Sequence, residues 1–136
     1  MLETTRIEQW LYEVLSGDSA LAAAVGGRIY AYLAPPEAGT PFVVFAYQSG
    51  ADTVAIGMSR VLTAALYQVK VVGTGWSSAP LQPIADRIDA VLQAASGSVV
   101  DGQILGCTRE QPISYVEATD GVVYRHLGGL YRIYAR

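Results

Sequence analysis

The side chains that most often carry out chemistry in proteins are scarce in this sequence. His126 is its only histidine and Cys107 its only cysteine. A catalytic histidine needs a nucleophile or carboxylate within hydrogen-bond distance, and a thiol enzyme has a recognisable context around its cysteine. The segment 105–108 has no such context, and His126 lies in a strand-like segment, 124–127. We interpret both residues as structural and predict no catalytic residue.

Metal and phosphate sites are not indicated either. A metal site needs two or more Cys, His, Asp or Glu at close spacing, whereas acids such as Asp86 and Asp89 commonly solvate an exposed helix face. Gly26-Gly27 and Gly73-Thr74-Gly75 resemble fragments of phosphate-binding loops, but they lack the P-loop lysine and the GxGxxG spacing. There is no Gly-x-Ser-x-Gly nucleophile elbow. We therefore predict no metal and no cofactor.

The composition indicates one domain with a partner. The 136 residues fall within the usual size of a single domain. Hydrophobic residues make up 51% of the chain, charged residues only 15%, and the mean hydropathy is +0.29. This is somewhat apolar for a domain that works alone, so we expect part of the apolar surface to contact another protein.

The charge and the cysteine count restrict the partner and the compartment. Twelve acidic and nine basic residues give a net charge of -3, and no cluster of Lys or Arg could displace counterions from a phosphate backbone. We predict no nucleic-acid recognition. A single cysteine fits a reducing compartment, and neither a secretory signal nor a membrane-spanning run is present. The sequence predicts a protein of the cytoplasm, or of a particle assembled there.

Apolar periodicity predicts three helices. The first spans about 5–16, with Thr5 and Glu8 forming a capping box at its start. Asp18 is predicted to cap a short second helix that ends at Gly26-Gly27. The third spans 78–95, a second long helix with one apolar stripe and polar residues, including Arg87, on the opposite side.

Runs of β-branched and aromatic residues predict the strands. The first two long strands are 42–47 and 61–72, joined by a long connection at 48–60. Asp120-Gly121 predicts a tight turn between arms at 115–118 and 122–127. The segment 130–135 either continues the second arm past Gly128-Gly129 or forms another strand, and those glycines suggest a bulge or a close backbone approach.

The order of these elements indicates the fold class. Two helices, two strands, a helix and two strands joined by short loops favour an α+β domain covering residues 1–136. We expect a mainly antiparallel sheet with two long helices and one short helix packed on one face. Each long helix has a single apolar stripe and therefore one face to bury.

Several large apolar side chains lie where the sequence predicts exposed connections. Leu33 follows Tyr32 before a proline-rich loop, and Trp76 lies in a glycine turn. Val54, Ile56 and Met58 lie in the 48–60 connection. These residues either fold back over the core or recognise a protein surface, since interfaces are enriched in aromatic residues and Met.

The order of motifs resembles a known family. An opening amphipathic helix, a glycine exit, a proline loop, apolar strands around the third helix and a C-terminal antiparallel pair are similar to the tail-completion and tail-terminator proteins of long-tailed bacteriophages and gene transfer agents. The most specific segments are Val25-Gly26-Gly27-Arg28-Ile29-Tyr30 and Pro41-Phe42-Val43-Val44-Phe45.

The resemblance implies a viral structural protein without enzyme activity. Such proteins form a ring, typically a hexamer, that caps the tail tube, ends its polymerisation and gives the head a docking face. The implied partners are further copies of the chain, the tail tube protein and a head-completion connector; the implied location is the head–tail junction of the virion, after assembly in the host cytoplasm. The free chain could be monomeric.

The same resemblance suggests interface residues. The 48–60 segment corresponds to the family's exposed connecting loop, which makes Val54, Ile56, Met58 and Arg60 candidates for ring or tube contacts. Tyr32 and Trp76, which come from the exposed apolar residues noted above and not from the resemblance, complete the predicted interface. Two alternatives remain open. The first is a head-completion or stopper connector that binds on the portal side, and the second is a small enzyme or ligand-binding domain of the dimeric α+β type, whose cavity is lined by Tyr, Trp and His126.

Overall fold

The structure, a computed structural model, describes residues 2–136. Its elements in chain order are α1 (Glu3–Ser16), α2 (Ser19–Val25), β1 (Ile29–Ala31), β2 (Phe42–Val54), β3 (Arg60–Thr74), a 3-10 turn (Ala79–Leu81), α3 (Gln82–Leu92), β4 (Gly97–Val99), β5 (Gly102–Thr119) and β6 (Val122–Ala135). None of the described helices combines the length and apolarity needed to cross a membrane. The chain is an α+β domain, as predicted.

The strands form one six-stranded sheet in the order β1-β2-β3-β6-β5-β4. β1 pairs with β2 in parallel, while the other pairings are antiparallel. The sheet is therefore mixed, and the prediction of a mainly antiparallel sheet was wrong. The physical reason is the proline-bearing segment 32–41, which is long enough to return the chain to the end of the sheet where β1 begins.

The predicted capping box at the start of α1 is absent. The helix begins at Glu3, Leu2 occupies the N-cap position without a side-chain hydrogen bond, and Thr5 lies inside the helix. The Glu8 carboxylate Oε2 instead accepts hydrogen bonds from the hydroxyls of Tyr32, at 2.6 Å, and Tyr67, at 2.8 Å. These tertiary donors replace the local backbone amide that the motif would have used.

The short second helix follows the sequence prediction closely. Asp18 caps α2 by accepting a 3.0 Å hydrogen bond from the backbone N–H of Leu21. Gly26 ends the helix with φ of 61°, a left-handed conformation that glycine adopts without a steric cost. Both signals for this helix are confirmed.

The prediction of a second long helix at 78–95 was wrong. A 3-10 turn at Ala79–Leu81 precedes α3, which ends at Leu92, so α1 is the one long helix of the described chain. Pro83 lacks an N–H and is tolerated only in the first turn, which makes the α-helix start next to it. At the other end, the backbone N–H of Ala94 donates to the Cys107 carbonyl, which draws the chain towards β5.

The strands are longer than the sequence indicated. β2 and β3 extend through most of the predicted 48–60 connection, and only a turn at 55–59 remains, closed by a hydrogen bond from Ala55 N–H to the Ser59 carbonyl. Asp120-Gly121 forms the predicted turn, with φ of 53° and 77°. β6 continues through Gly128-Gly129, so residues 130–135 belong to the second arm of the hairpin and do not form another strand.

The helices cover one face of the sheet, as the amphipathic stripes predicted. One apolar cluster joins Ile7 and Leu11 of α1 and Ile88 of α3 to strand residues such as Val69 and Ile133. Because alternate residues of a strand point to opposite faces, the residues between these strand positions lie on the other side of the sheet. We call that side the outer face.

Candidate functional site

Four of the predicted interface residues lie at the tip of the β2–β3 hairpin. The last pair between β3 and β6 is Thr63–Ala135; beyond it, β2 and β3 pair only with each other. Residues 53–62 therefore form a two-stranded projection, which we call the finger. Ile56 at its tip is fully exposed and Met58 is 80% exposed. An uncovered pair of large apolar side chains on a projecting turn is suited to contact another protein.

The turn geometry explains why these side chains are presented to solvent. Gly57 and Met58 have φ of 95° and 70°, so the chain reverses tightly and the side chains at the tip are exposed. Arg60 is less free, because its Nε lies 3.3 Å from Glu3 Oε1 at the start of α1. Of the four residues, Val54, Ile56 and Met58 present apolar surface, whereas Arg60 also tethers the base of the finger.

The other two predicted residues lie elsewhere. Tyr32 follows β1, and its hydroxyl is bound to Glu8; burial first, and Glu8 second, raise the tyrosine pKa to about 12. Trp76 is 85% exposed and lies beyond Thr74, at the end of β3 far from the finger. Its carbonyl accepts a 2.7 Å hydrogen bond from Arg125. The six predicted residues therefore do not form one patch.

Two strand edges are open within the described chain. β1 covers β2 only at residues 43–45, so the outer edge of β2 from 46 to 54 pairs with no strand of the described range. β4 covers β5 only at 102–104, and a hydrogen bond from Arg109 N–H to Gln93 Oε1 follows. From 110 to 119, β5 also lacks a strand along its outer edge among residues 2–136. Open edges favour pairing with another chain.

A group of polar residues surrounds His126 on the outer face, and its other members, Lys70, Tyr115 and Glu117, were not identified from the sequence. His126 is 7% exposed, its ring stacks on Tyr115 with centroids 4.2 Å apart, and its Nε2 lies 2.7 Å from Glu117 Oε1. The Lys70 ammonium donates a hydrogen bond to the Tyr115 hydroxyl. Burial, and then the positive charge of Lys70, lower the His126 pKa below its usual value of 6.5.

Lys70 could have been found from its local pattern. It interrupts the apolar run Val69-Lys70-Val71-Val72, where a charged residue in a strand implies either an exposed position or a specific partner. The structure leaves Lys70 only 9% exposed. Its partner Tyr115 is far away in sequence, so the contact itself could not be predicted.

A cavity of about 300 Å³ lies beside this group. Its lining combines apolar side chains with a polar wall and consists of Tyr32, Leu33, Ala34, Phe42, Val44, Lys70, Val72, Glu117, Thr119, Tyr124 and His126. We call it the lysine pocket. A cavity lined by His126, which the ligand-binding alternative would require, is present; its lining includes tyrosines but neither tryptophan.

The arrangement offers little reactive chemistry. Cys107 is buried on the helix side, and burial raises the pKa of its thiol to about 12, so the thiol stays protonated at neutral pH. Within residues 2–136, no three His, Cys, Asp or Glu side chains are grouped so that they could hold a metal ion. The most developed features are therefore surfaces: the finger, the two edges and the lysine pocket.

Comparison with known proteins identifies a family and solved structures of similar fold. The sequence model of a family described as "Tail completion protein gp17" matches residues 9–127. Among solved structures, a chain from the "Virion of native gene transfer agent (GTA) particle" has a similar fold, with a TM-score of 0.69, 18% sequence identity and 91% of each chain covered. No curated protein matches the sequence. At this identity, the structural match establishes the fold.

Proposed function

We propose that this chain, which belongs to the tail completion protein gp17 family and is a structural protein of tail assembly, forms the ring that caps the tail tube. Capping ends the addition of tube subunits and leaves a face on which a filled head can dock. The family is structural rather than enzymatic. The fold shared with a chain of a gene transfer agent virion supports a place in the particle.

The main support for a ring is that the sheet has two open strand edges, one along β2 and one along β5. β2 and β3 are antiparallel, as are β3 and β6, and β6 and β5. β2 and β5 therefore run in opposite directions. When copies repeat head to tail around an axis, β2 of one copy meets β5 of the next in the antiparallel sense. Because the open part of β2 lies at the finger end of the sheet and the open part of β5 at the other end, the strands must be tilted relative to the ring axis for the two to face each other.

The usable lengths of the two edges are similar. Residues 46–54 are open on β2, and residues 113–119 are open on β5 beyond Pro112, which has no N–H to donate. We call the contact between β2 of one copy and β5 of the next the seam. A ring closes if the rotation between neighbouring copies is a whole fraction of a full turn. We propose that the ring is a hexamer. The two open edges would form the seam, and the rotation between neighbouring copies would set the number of subunits.

The finger then contacts what lies above or below the ring. It projects past the last paired residues of β6, so Ile56 and Met58 lie outside the proposed seam and Val54 lies at its end. Their apolar side chains suit the end of the tail tube, while the opposite end of the sheet, where Trp76 lies, suits the head-completion connector. A free subunit remains monomeric if each seam is weak until the tube raises the local concentration.

Purified tail tubes provide the experiment. Native mass spectrometry of the free chain over a range of concentrations, and electron microscopy of tubes mixed with it, should show rings only at high concentration or at tube ends. Tubes exposed to the chain should stop growing. A chain that binds purified portal or connector, and ignores tubes, is a stopper rather than a terminator.

An edge variant separates the seam from other contacts. Val116→Lys places a charge on the open part of β5 and should prevent ring formation, because an edge lysine opposes strand pairing. Leu105→Lys, in the part of the same strand next to β4, is the matched control and should form rings. Normal rings from Val116→Lys would show that the seam lies elsewhere.

A further inference from the structure

Lys70 is a buried cation without a carboxylate partner. It is 9% exposed, and among residues 2–136 no Asp or Glu oxygen lies within 4.0 Å of its ammonium. Its contacts are the Tyr115 hydroxyl and the Tyr115 ring, whose centroid lies 4.9 Å from Nζ. Buried charges in proteins are normally paired, because a hydroxyl replaces only part of the lost hydration.

The fold makes room for this lysine. Lys70 pairs with Gly128 on β6, and a Cβ at Gly128 would lie 2.6 Å from the Lys70 Cα and 2.9 Å from its Cβ. A glycine at this position therefore permits the close approach of the two strands beneath the lysine. The lysine also lines the lysine pocket, so space for a further group lies next to it.

The nearby acid does not satisfy this charge. Glu117 lines the same pocket, but its Oε1 is bound to His126 Nε2 at 2.7 Å, and the carboxylate lies beyond 4.0 Å from the Lys70 ammonium. The lining also provides an apolar wall that includes Phe42, Val44 and Val72. A carboxylate carried on a short aliphatic stem matches both the cation and this wall.

We propose that the lysine pocket receives an acidic side chain from a neighbouring protein chain, whose carboxylate pairs with Lys70. The occupant is an Asp or Glu side chain, and its methylene groups contact the apolar wall. Since that partner is met in the assembled tail, this inference rests on the proposed function. The free subunit tolerates the unpaired lysine, and assembly completes the ion pair.

The first test uses butyrate as a probe of the purified chain. Amide signals around the pocket, followed by NMR during titration, should respond to butyrate at millimolar concentration and at least about tenfold more weakly to butyramide, which lacks the charge. Lys70→Met should abolish the difference, and Glu117→Gln should strengthen butyrate binding because a like charge is removed. Equal responses to butyrate and butyramide would overturn the proposal.

The second test separates a binding role from a structural one. Lys70→Met removes an unpaired buried charge and should raise the Tm of the free chain by a few degrees, yet lower the yield of tails joined to heads at least about tenfold. Gln68→Met, on the same face of β3, is the control and should leave the yield unchanged. A lower Tm for Lys70→Met would assign the lysine to stability alone.

These outcomes remain distinct from those of the ring experiment. If the chain does not cap tubes at all, the butyrate titration and the Tm shift still report on the pocket. If butyrate binds but Lys70→Met tails join heads normally, the pocket binds carboxylates without a protein partner, and the proposal fails.

Discussion

The Arg87 guanidinium holds the Asp18 carboxylate with two hydrogen bonds, from Nε to Oδ2 at 2.8 Å and from Nη2 to Oδ1 at 2.5 Å. Asp18 is also the N-cap of α2, so one carboxylate both caps a helix and links it to α3. From the sequence, Arg87 was predicted to lie on the polar side of its helix and to contribute little to stability. The structure gives it a tertiary partner.

Asp18→Ala should destabilise the chain by about 1–2 kcal/mol, because the cap is lost. Asp18→Asn keeps an acceptor for the Leu21 N–H and should cost less. The Arg87 hydrogen bonds are the main reason that the Asp18 pKa is lowered from 3.8 to about 2. A carboxyl with a lowered folded pKa stabilises above its unfolded pKa, so the advantage of wild type over Asp18→Asn should vanish as the pH falls from 4 towards 2. Urea denaturation at several pH values measures the difference in the free energy of unfolding between the two proteins. A difference that stays constant with pH would contradict the role given to the Asp18 carboxylate.

Gly128→Ala should be strongly destabilising. Its Cβ would lie 2.2 Å from the Val69 carbonyl oxygen, and neither strand can move without breaking the ladder between β3 and β6. We expect a loss of about 3 kcal/mol or more in the free energy of unfolding. Gly106→Ala, in β5, meets nothing within 4 Å and should change stability by less than about 0.5 kcal/mol. Equal melting temperatures for the two variants would refute the close approach.

Ile56→Asp and Met58→Asp should leave the free subunit folded and abolish capping. Both side chains are exposed at the tip of the finger, so the charge costs nothing until a partner desolvates it, when an unpaired charge becomes costly. Thermal melts of the free chain and electron microscopy of tubes measure the two effects. Val100→Asp, an exposed residue in the β4–β5 turn, is the charge-matched control. Unfolding of the Ile56 variant would place the finger in the core instead.

Stability should decrease as the pH falls below about 6.5, the usual pKa of histidine, and His126 should be responsible. Burial and Lys70 lower its folded pKa, while Glu117 acts in the opposite direction more weakly. The unfolded chain therefore takes up a proton first, and the stability present above the unfolded pKa is lost as the pH falls towards the folded pKa. His126→Gln should flatten the Tm between pH 7 and about 5.5. An unchanged slope in that variant would assign the effect to another group.

Local signals in the sequence were sufficient for several elements. The apolar stripe of α1, the Asp18 cap with its glycine exit, and the Asp120-Gly121 turn all appear where predicted. Each depends on residues within one or two turns of chain, where helical periodicity, capping and positive φ are decided by local geometry. The family resemblance arose from the same segments and is confirmed by the match over residues 9–127.

Tertiary structure decided everything that depends on distant partners. Glu8 binds two tyrosines instead of closing a capping box, and β2 extends through glycine and aspartate residues because β3 offers it a ladder. The parallel β1 and the contact between Lys70 and Tyr115 follow from strand order and register. Such pairings join residues tens of positions apart, and the sequence pattern of either member carries no information about its partner. Local chemistry thus determined which segments fold as helices or turns, whereas long-range strand pairing determined the open edges and the buried lysine.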